Sequence, residues 1–154
     1  ATACGVIEGF GIGYAAVYLG AAQRALDFTV EYCKTHQLMP DPGPLSHDLV
    51  VQRGVAEMTT VLDGARLVLH DSARRWEGAD PAKRLVLGAR AKYLATEASL
   101  MVTGRCVQVV GGRSAHKGMP LERLYRDVRT ATLMPPNADR AMEIVGRAEL
   151  GVEG

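Results

Sequence analysis

The stretch IGYAAVYLGAAQRALDFTVEYC, residues 12 to 33, contains no proline and repeats its apolar positions with a helical period. Ile12, Ala16, Leu19, Gln23, Leu26, Val30 and Cys33 stand alternately four and three apart, which puts them on one side of an α-helix. That is the pattern of a face buried in an antiparallel bundle. Gln23 is its one polar member, and it suggests that surfaces beyond the intrachain core are used.

Working outward, the same spacing returns twice. Val51, Val55, Met58, Leu62, Ala65, Leu69, Ala73 and Trp76 form a second stripe, and Leu87, Ala91, Leu94, Ala98 and Met101 form a third. Each helix reaches roughly 30 residues, or ~45 Å at the rise of an α-helix. Between the first two, MPDPGPLSHD cannot continue a helix and ends with Ser46 or Asp48 as a candidate N-cap. Between the second and third, EGADPAK places Asp80 as cap and Pro81 at the first helical position, and so short a joint makes the two helices antiparallel. Pro120 opens a shorter helix, PLERLYRDVRTATLM, and Asn137 or Asp139 begins a fifth. No strand-like alternation interrupts this order. The fold expected is all-α: an up-down bundle of the four-helix type, with three long helices and one or two shorter C-terminal ones.

A chain of 154 residues fits a single helical domain over 1–154 and buries roughly two thirds of its extended surface. Three cysteines, Cys4, Cys33 and Cys106, form no close pair, so neither a disulfide framework nor a zinc site is suggested. His47, His70 and His116 are scattered without ligand spacing, so no metal is expected. A cytoplasmic origin is the simplest reading. Net charge is +1 with both signs interleaved, which gives no electrostatic footprint for nucleic acid. No apolar run approaches the ~20 residues of a membrane span, and the start has no signal core. The first residue is Ala1, which suggests processing or a fragment of a longer chain.

GAAQRALDFTVEY on the first helix, VQRGVAEM on the second, QVVGG ending the third and PLERLYRDVR opening the fourth occur in the order, and at the one-per-helix spacing, of a known domain. From about residue 11 to 149 the chain resembles the C-terminal helical domain of the acyl-CoA dehydrogenases. The resemblance implies a longer flavoprotein with a helical domain and a β-domain ahead of this bundle. It implies FAD as cofactor, an acyl-CoA or other acyl thioester as substrate, and assembly as a homo-oligomer or with a homologous subunit.

Candidate site residues follow from that resemblance. Gly111 or Gly112 ends the third helix in a left-handed conformation, and a backbone without Cβ atoms also admits a cofactor. In the resembling family the Gln-x-x-Gly-Gly segment touches FAD of a neighbouring subunit, which assigns Gln108, Gly111 and Gly112. Asn137 and Asp139 are further expected contacts. His36 stands where the family commonly has a phosphate-binding arginine, though a histidine lacks the bidentate grip of a guanidinium. Arg126 and Asp127 read as a charge pair orienting the fourth helix, and Arg123 and Arg129 as a solvated face or subunit contact.

Where the family typically writes Tyr-Glu-Gly-Thr, this chain has Met134, Pro135, Pro136 and Asn137. The catalytic carboxylate is thus replaced by Pro135, which has no lone pair to take a proton. Phe10 occupies the alternative base position on the first helix. Glu8, two residues away, points about 200° round the helix. No catalytic residue is assigned. Three functions remain in view: an FAD-dependent dehydrogenase, a flavin-dependent monooxygenase that needs no such base, and a catalytically inactive assembly subunit.

Overall fold

The computed structural model describes residues 4–38, 40 and 43–152. Its elements are α1 (Cys4–Thr35), α2 (Leu49–Trp76), α3 (Pro81–Val110), α4 (Pro120–Arg129) and α5 (Ala138–Leu150), with 3₁₀ turns at Leu45–His47, Gly111–Ala115 and Thr130–Thr132. No strand occurs among the described residues; one isolated bridge joins Gln37 and Pro44. The all-α expectation therefore holds, and the helix starts are chemically explained. The Asp48 carboxylate accepts from the Val50 and Val51 amides at 2.6 and 3.2 Å, and Asp80 accepts from Lys83 at 2.9 Å. Asn137, rather than Asp139, caps α5, accepting from the Arg140 amide at 2.9 Å. The fourth helix ends at Arg129, earlier than the sequence pattern suggests, and tightens into the 3₁₀ turn Thr130–Thr132.

The three long helices do not play equal parts. α3 packs against α1, α2, α4 and α5, so it is the axis of the domain and is buried on almost every side. Ala89, Ala95, Thr96, Ser99, Val102, Thr103 and Cys106 are buried in addition to the expected Leu87, Ala91 and Ala98. A helix that is small or apolar all round is an interior helix, and a one-sided stripe understates it. Met101, counted in that stripe, is exposed.

Two other expectations shift by one position: Ala16 is exposed while Ala15 is buried, and Ala73 is exposed while Ser72 is buried. In α1 the cause is α3. The buried residues Ala15, Ala22, Ala25 and Thr29 form a flat small-residue face against it. At one point the two backbones touch: a Cβ on Gly11 would stand 2.6 Å from the Gly88 carbonyl oxygen. Gln23 is accounted for within the chain. Its amide donates to Asp27 at 2.7 Å and its carbonyl accepts from Arg66, tying α1 to α2 across their outer edge.

Candidate functional site

The C-terminal end of α3 is built to be open. Gly111 takes φ 74° and ψ −158°, a backbone region nearly closed to other residues, while its N–H still closes the helix on the Val107 carbonyl. Beyond the adjoining backbone and chain neighbours, no heavy atom lies within 4 Å of where a Cβ would stand on Gly111 or Gly112. Both are exposed, as is Gln108. Buried Ser114 turns back on this end and donates to the Gly111 carbonyl at 2.7 Å, satisfying one of the acceptors that a helix end leaves over.

Arg105 lies one turn before Gln108. Its guanidinium donates to the Gln108 side-chain carbonyl at 3.3 Å and stands 3.6 Å from Glu57 of α2. Together Arg105 and Gln108 separate two open depressions. The larger, about 550 Å³, lies towards α4 and carries Leu100, Met101, Gly104 and Tyr125. The smaller, about 200 Å³, runs under the loop after α1, with Leu38, Leu45 and Val51. Arg105 lies outside the motifs read from the sequence, and Tyr125 lies within PLERLYRDVR without a role assigned to it there.

His36 sits near the same end, turned onto its own helix. Its ring stacks on Tyr32 with centroids 3.7 Å apart, and Nδ1 lies 3.1 Å from the Tyr32 carbonyl. Asn137 and Asp139 belong elsewhere. They begin α5 beside Lys92, sixteen residues before Gln108 on α3, a separation of about 24 Å along the helix. The six candidate positions thus form two groups, not one.

The second group is organised by Lys92. Its side chain is 1% exposed, and Nζ donates to the carbonyls of Ala131, Met134 and Pro136 at 2.8, 2.7 and 2.6 Å. Three acceptors match the three N–H groups of an ammonium. Burial pulls the Lys92 pKa below its ordinary value. Met134 and Pro136 flank Pro135, so a buried cation from α3 anchors the segment where a base was sought; Pro135 itself is exposed, and its bond to Pro136 is cis. A lysine in the run AKYLATEAS, among small residues that suit an interior helix, is the signal that the sequence reading passed over.

Other expectations are corrected or placed. Arg126 and Asp127 do not pair with each other: Arg126 meets Glu122 at 3.1 Å and Asp127 meets Arg123 at 3.4 Å. Adjacent residues on a helix point about 100° apart, whereas residues four apart share a face. Phe10 is exposed and stacks on Tyr14. The Glu8 side chain lies outside the described residues.

Cys33 and Cys106 are free and buried; burial raises both thiol pKa values, that of Cys106 to about 11, so neither is a nucleophile at neutral pH. No group of His, Cys, Asp or Glu side chains able to hold a metal ion occurs among the described residues. No helix among them is long and apolar enough to cross a membrane.

Comparison with known proteins agrees with this architecture. The family model described as "Acyl-CoA dehydrogenase, C-terminal domain" matches residues 12–134 and stops one residue short of Pro135. YdbM of Bacillus subtilis (strain 168) is 36% identical over 128 residues, covering 80% of this chain and 33% of that protein. The short/branched chain specific acyl-CoA dehydrogenase, mitochondrial, of Bos taurus is 34% identical over 123 residues, covering 79% and 27%. The structure of butyryl-CoA dehydrogenase from Megasphaera elsdenii superposes with a TM-score of 0.88 at 28% identity, covering 96% of this chain and 37% of that one. The chain spans about a third of the length of the curated relatives it matches.

Proposed function

This chain belongs to the acyl-CoA dehydrogenase family, and we propose that it is the FAD-contacting, subunit-joining C-terminal domain of an oxidoreductase that dehydrogenates an acyl thioester between its α and β carbons. The observation that carries this reading is the bare end of α3, where exposed Gln108 stands beside two glycines with open space above them. The donor set suits the adenosine half of that cofactor. A helix C-terminus presents carbonyls, which accept from ribose hydroxyls and an adenine amino group, and an amide side chain both donates and accepts. Bound FAD would supply the hydride acceptor. Gln108, Gly111 and Gly112 would hold the cofactor, with His36 at the rim.

Asn137 and Asp139 are proposed as a second contact. They begin α5 beside Lys92, about 24 Å along α3 from Gln108, and this separation supports assembly, because in an oligomer the two groups can serve different cofactor molecules. Exposed apolar side chains support it too: Leu49 and Val50 at the start of α2 are 78% and 71% exposed. Association is proposed as a homo-oligomer or with a homologous subunit. Free buried thiols suit a reducing compartment such as the cytoplasm.

The same observations favour a second reading at one point. The Lys92-anchored segment offers no carboxylate at Pro135, which suits a flavin-dependent monooxygenase that abstracts no α-proton. The test is anaerobic reduction of FAD on the polypeptide that carries this domain, using short, medium and branched acyl-CoA. Losing a positioned base costs on the order of a hundredfold to ten-thousandfold in rate, so slow bleaching is expected under the dehydrogenase reading. Oxygen consumption by the reduced flavin with no bleaching by any thioester would replace it with the monooxygenase. Failure to hold FAD at all would leave an assembly subunit.

A further inference from the structure

We propose that Arg105, not His36, supplies the cation that meets the phosphates of the bound dinucleotide, while the depression beside Tyr125 receives its base. This rests on the reading above, that the end of α3 contacts FAD, and deepens it. A helix C-terminus carries partial negative charge and repels an anion, so a phosphate held here needs a full positive charge close by. His36 is poorly placed to give one. Its ring lies flat on Tyr32, and Nδ1 is taken up by the Tyr32 carbonyl and the Thr35 hydroxyl, each at 3.1 Å.

Arg105 has what His36 lacks. It is permanently charged, and its planar fork can hold a phosphate through two hydrogen bonds. Its side chain is 37% exposed, and its contacts are loose: 3.6 Å to Glu57 and 3.3 Å to Gln108. Glu57 has a nearer partner in Arg53 at 2.9 Å, so an anion can take the guanidinium without stranding that carboxylate. Buried Gly54 lies beneath, and a Cβ there would stand 3.5 Å from Arg105 Nε, in ordinary contact with the base of the fork.

Asp48, the acid that lines the smaller depression, already caps α2. On the larger side Tyr125 offers an exposed ring, with Leu100 and Met101 as apolar walls and the Gln108 amide at the edge. A ring, an amide and a guanidinium on one depression are the complement of base, ribose and phosphate.

The test titrates adenosine, ADP and FAD into the chain and follows backbone amide shifts by NMR, with thermal unfolding as the fold control. ADP and FAD are expected to shift signals of residues 104–112 and 125. Arg105→Gln should weaken both by about tenfold to a hundredfold, the weight of charge-assisted hydrogen bonds, and change adenosine binding by less than about twofold. Arg105→Lys should recover part of the loss, and His36→Gln should weaken ADP less than Arg105→Gln does. Unchanged ADP binding by Arg105→Gln, or a larger loss in His36→Gln, overturns the assignment. If Gln108→Ala then still weakens adenosine, the proposed cofactor contact at the end of α3 stands without Arg105. If none of the three ligands shifts these signals, both readings fall.

Discussion

Replacing Lys92 with methionine puts an unbranched apolar side chain, one atom shorter, in its place and removes the three N–H groups. Three carbonyls lose a charged donor. That of Ala131 is buried and bears the full penalty of an unmet acceptor, about 1–3 kcal/mol. Those of Met134 and Pro136 are partly buried and regain water, so each costs less, about 0.5–1 kcal/mol. Relief from holding an ammonium inside the domain offsets part of the sum. The expected net loss is about 1–4 kcal/mol, which lowers the thermal midpoint by roughly 2–16 °C for a domain of this size.

Urea unfolding followed by circular dichroism measures the loss, and hydrogen exchange should show its local share at residues 130–138. The pH dependence carries a second sign. Burial lowers the folded-state pKa of Lys92 below 10.5, so between the two values the unfolded chain holds more protons and the contribution of this group to stability rises with pH. Lys92→Met should lack that alkaline rise. A loss under about 1 kcal/mol at an unchanged denaturant slope would refute the view that this ammonium anchors the segment.

Further outcomes follow from single contacts. Gly11→Ala sets a methyl 2.6 Å from the Gly88 carbonyl oxygen and must push α1 off α3, at about 1–3 kcal/mol by urea unfolding; an unchanged midpoint would mean that the helices are not held this close. Thr96 is buried with no partner for its hydroxyl, so the near-isosteric Thr96→Val should be neutral or stabilise by up to about 2 kcal/mol in the same assay. Cys106, with its pKa raised to about 11, has roughly one thiolate per thousand at pH 8 and no exposed surface, so a thiol reagent should label it only as the domain unfolds. Rapid labelling of Cys106 in the folded chain would contradict its burial.

The fold was legible because helix periodicity, caps and prolines agreed at every joint: Asp48, Asp80, Pro81 and Pro120 stand where the helices begin. The central role of α3 was hidden for a physical reason. A helix surrounded on all sides has no polar face to set the phase, and its Ala, Ser and Thr residues carry too little hydrophobicity to announce burial. At the site, the Gln108 to Gly112 segment is local in sequence and could be read. Arg105 and Tyr125 could not, since they meet only after α4 folds back along α3. The partners of Lys92 were hidden for the same reason, being main-chain carbonyls 39 to 44 residues away, although the lysine itself stands out among its small neighbours.

That last feature bears on how the double proline can be tolerated. All three hydrogen bonds of Lys92 to the segment go to main-chain carbonyls, so this grip on residues 131–136 requires no particular side chain there. Proline removes an N–H and leaves the carbonyl, and the carbonyl is what Lys92 needs. The amides that do work nearby belong to others: Leu133 and Met134 donate to the Thr130 carbonyl, and Arg140 and Ala141 to Asn137. Two prolines therefore fit between these bonded positions with no ladder to break. Pro135 thus leaves the main chain its anchor and says nothing against the fold. Under the proposed function, it is the position at which the presence or absence of a base would separate the two flavin reactions.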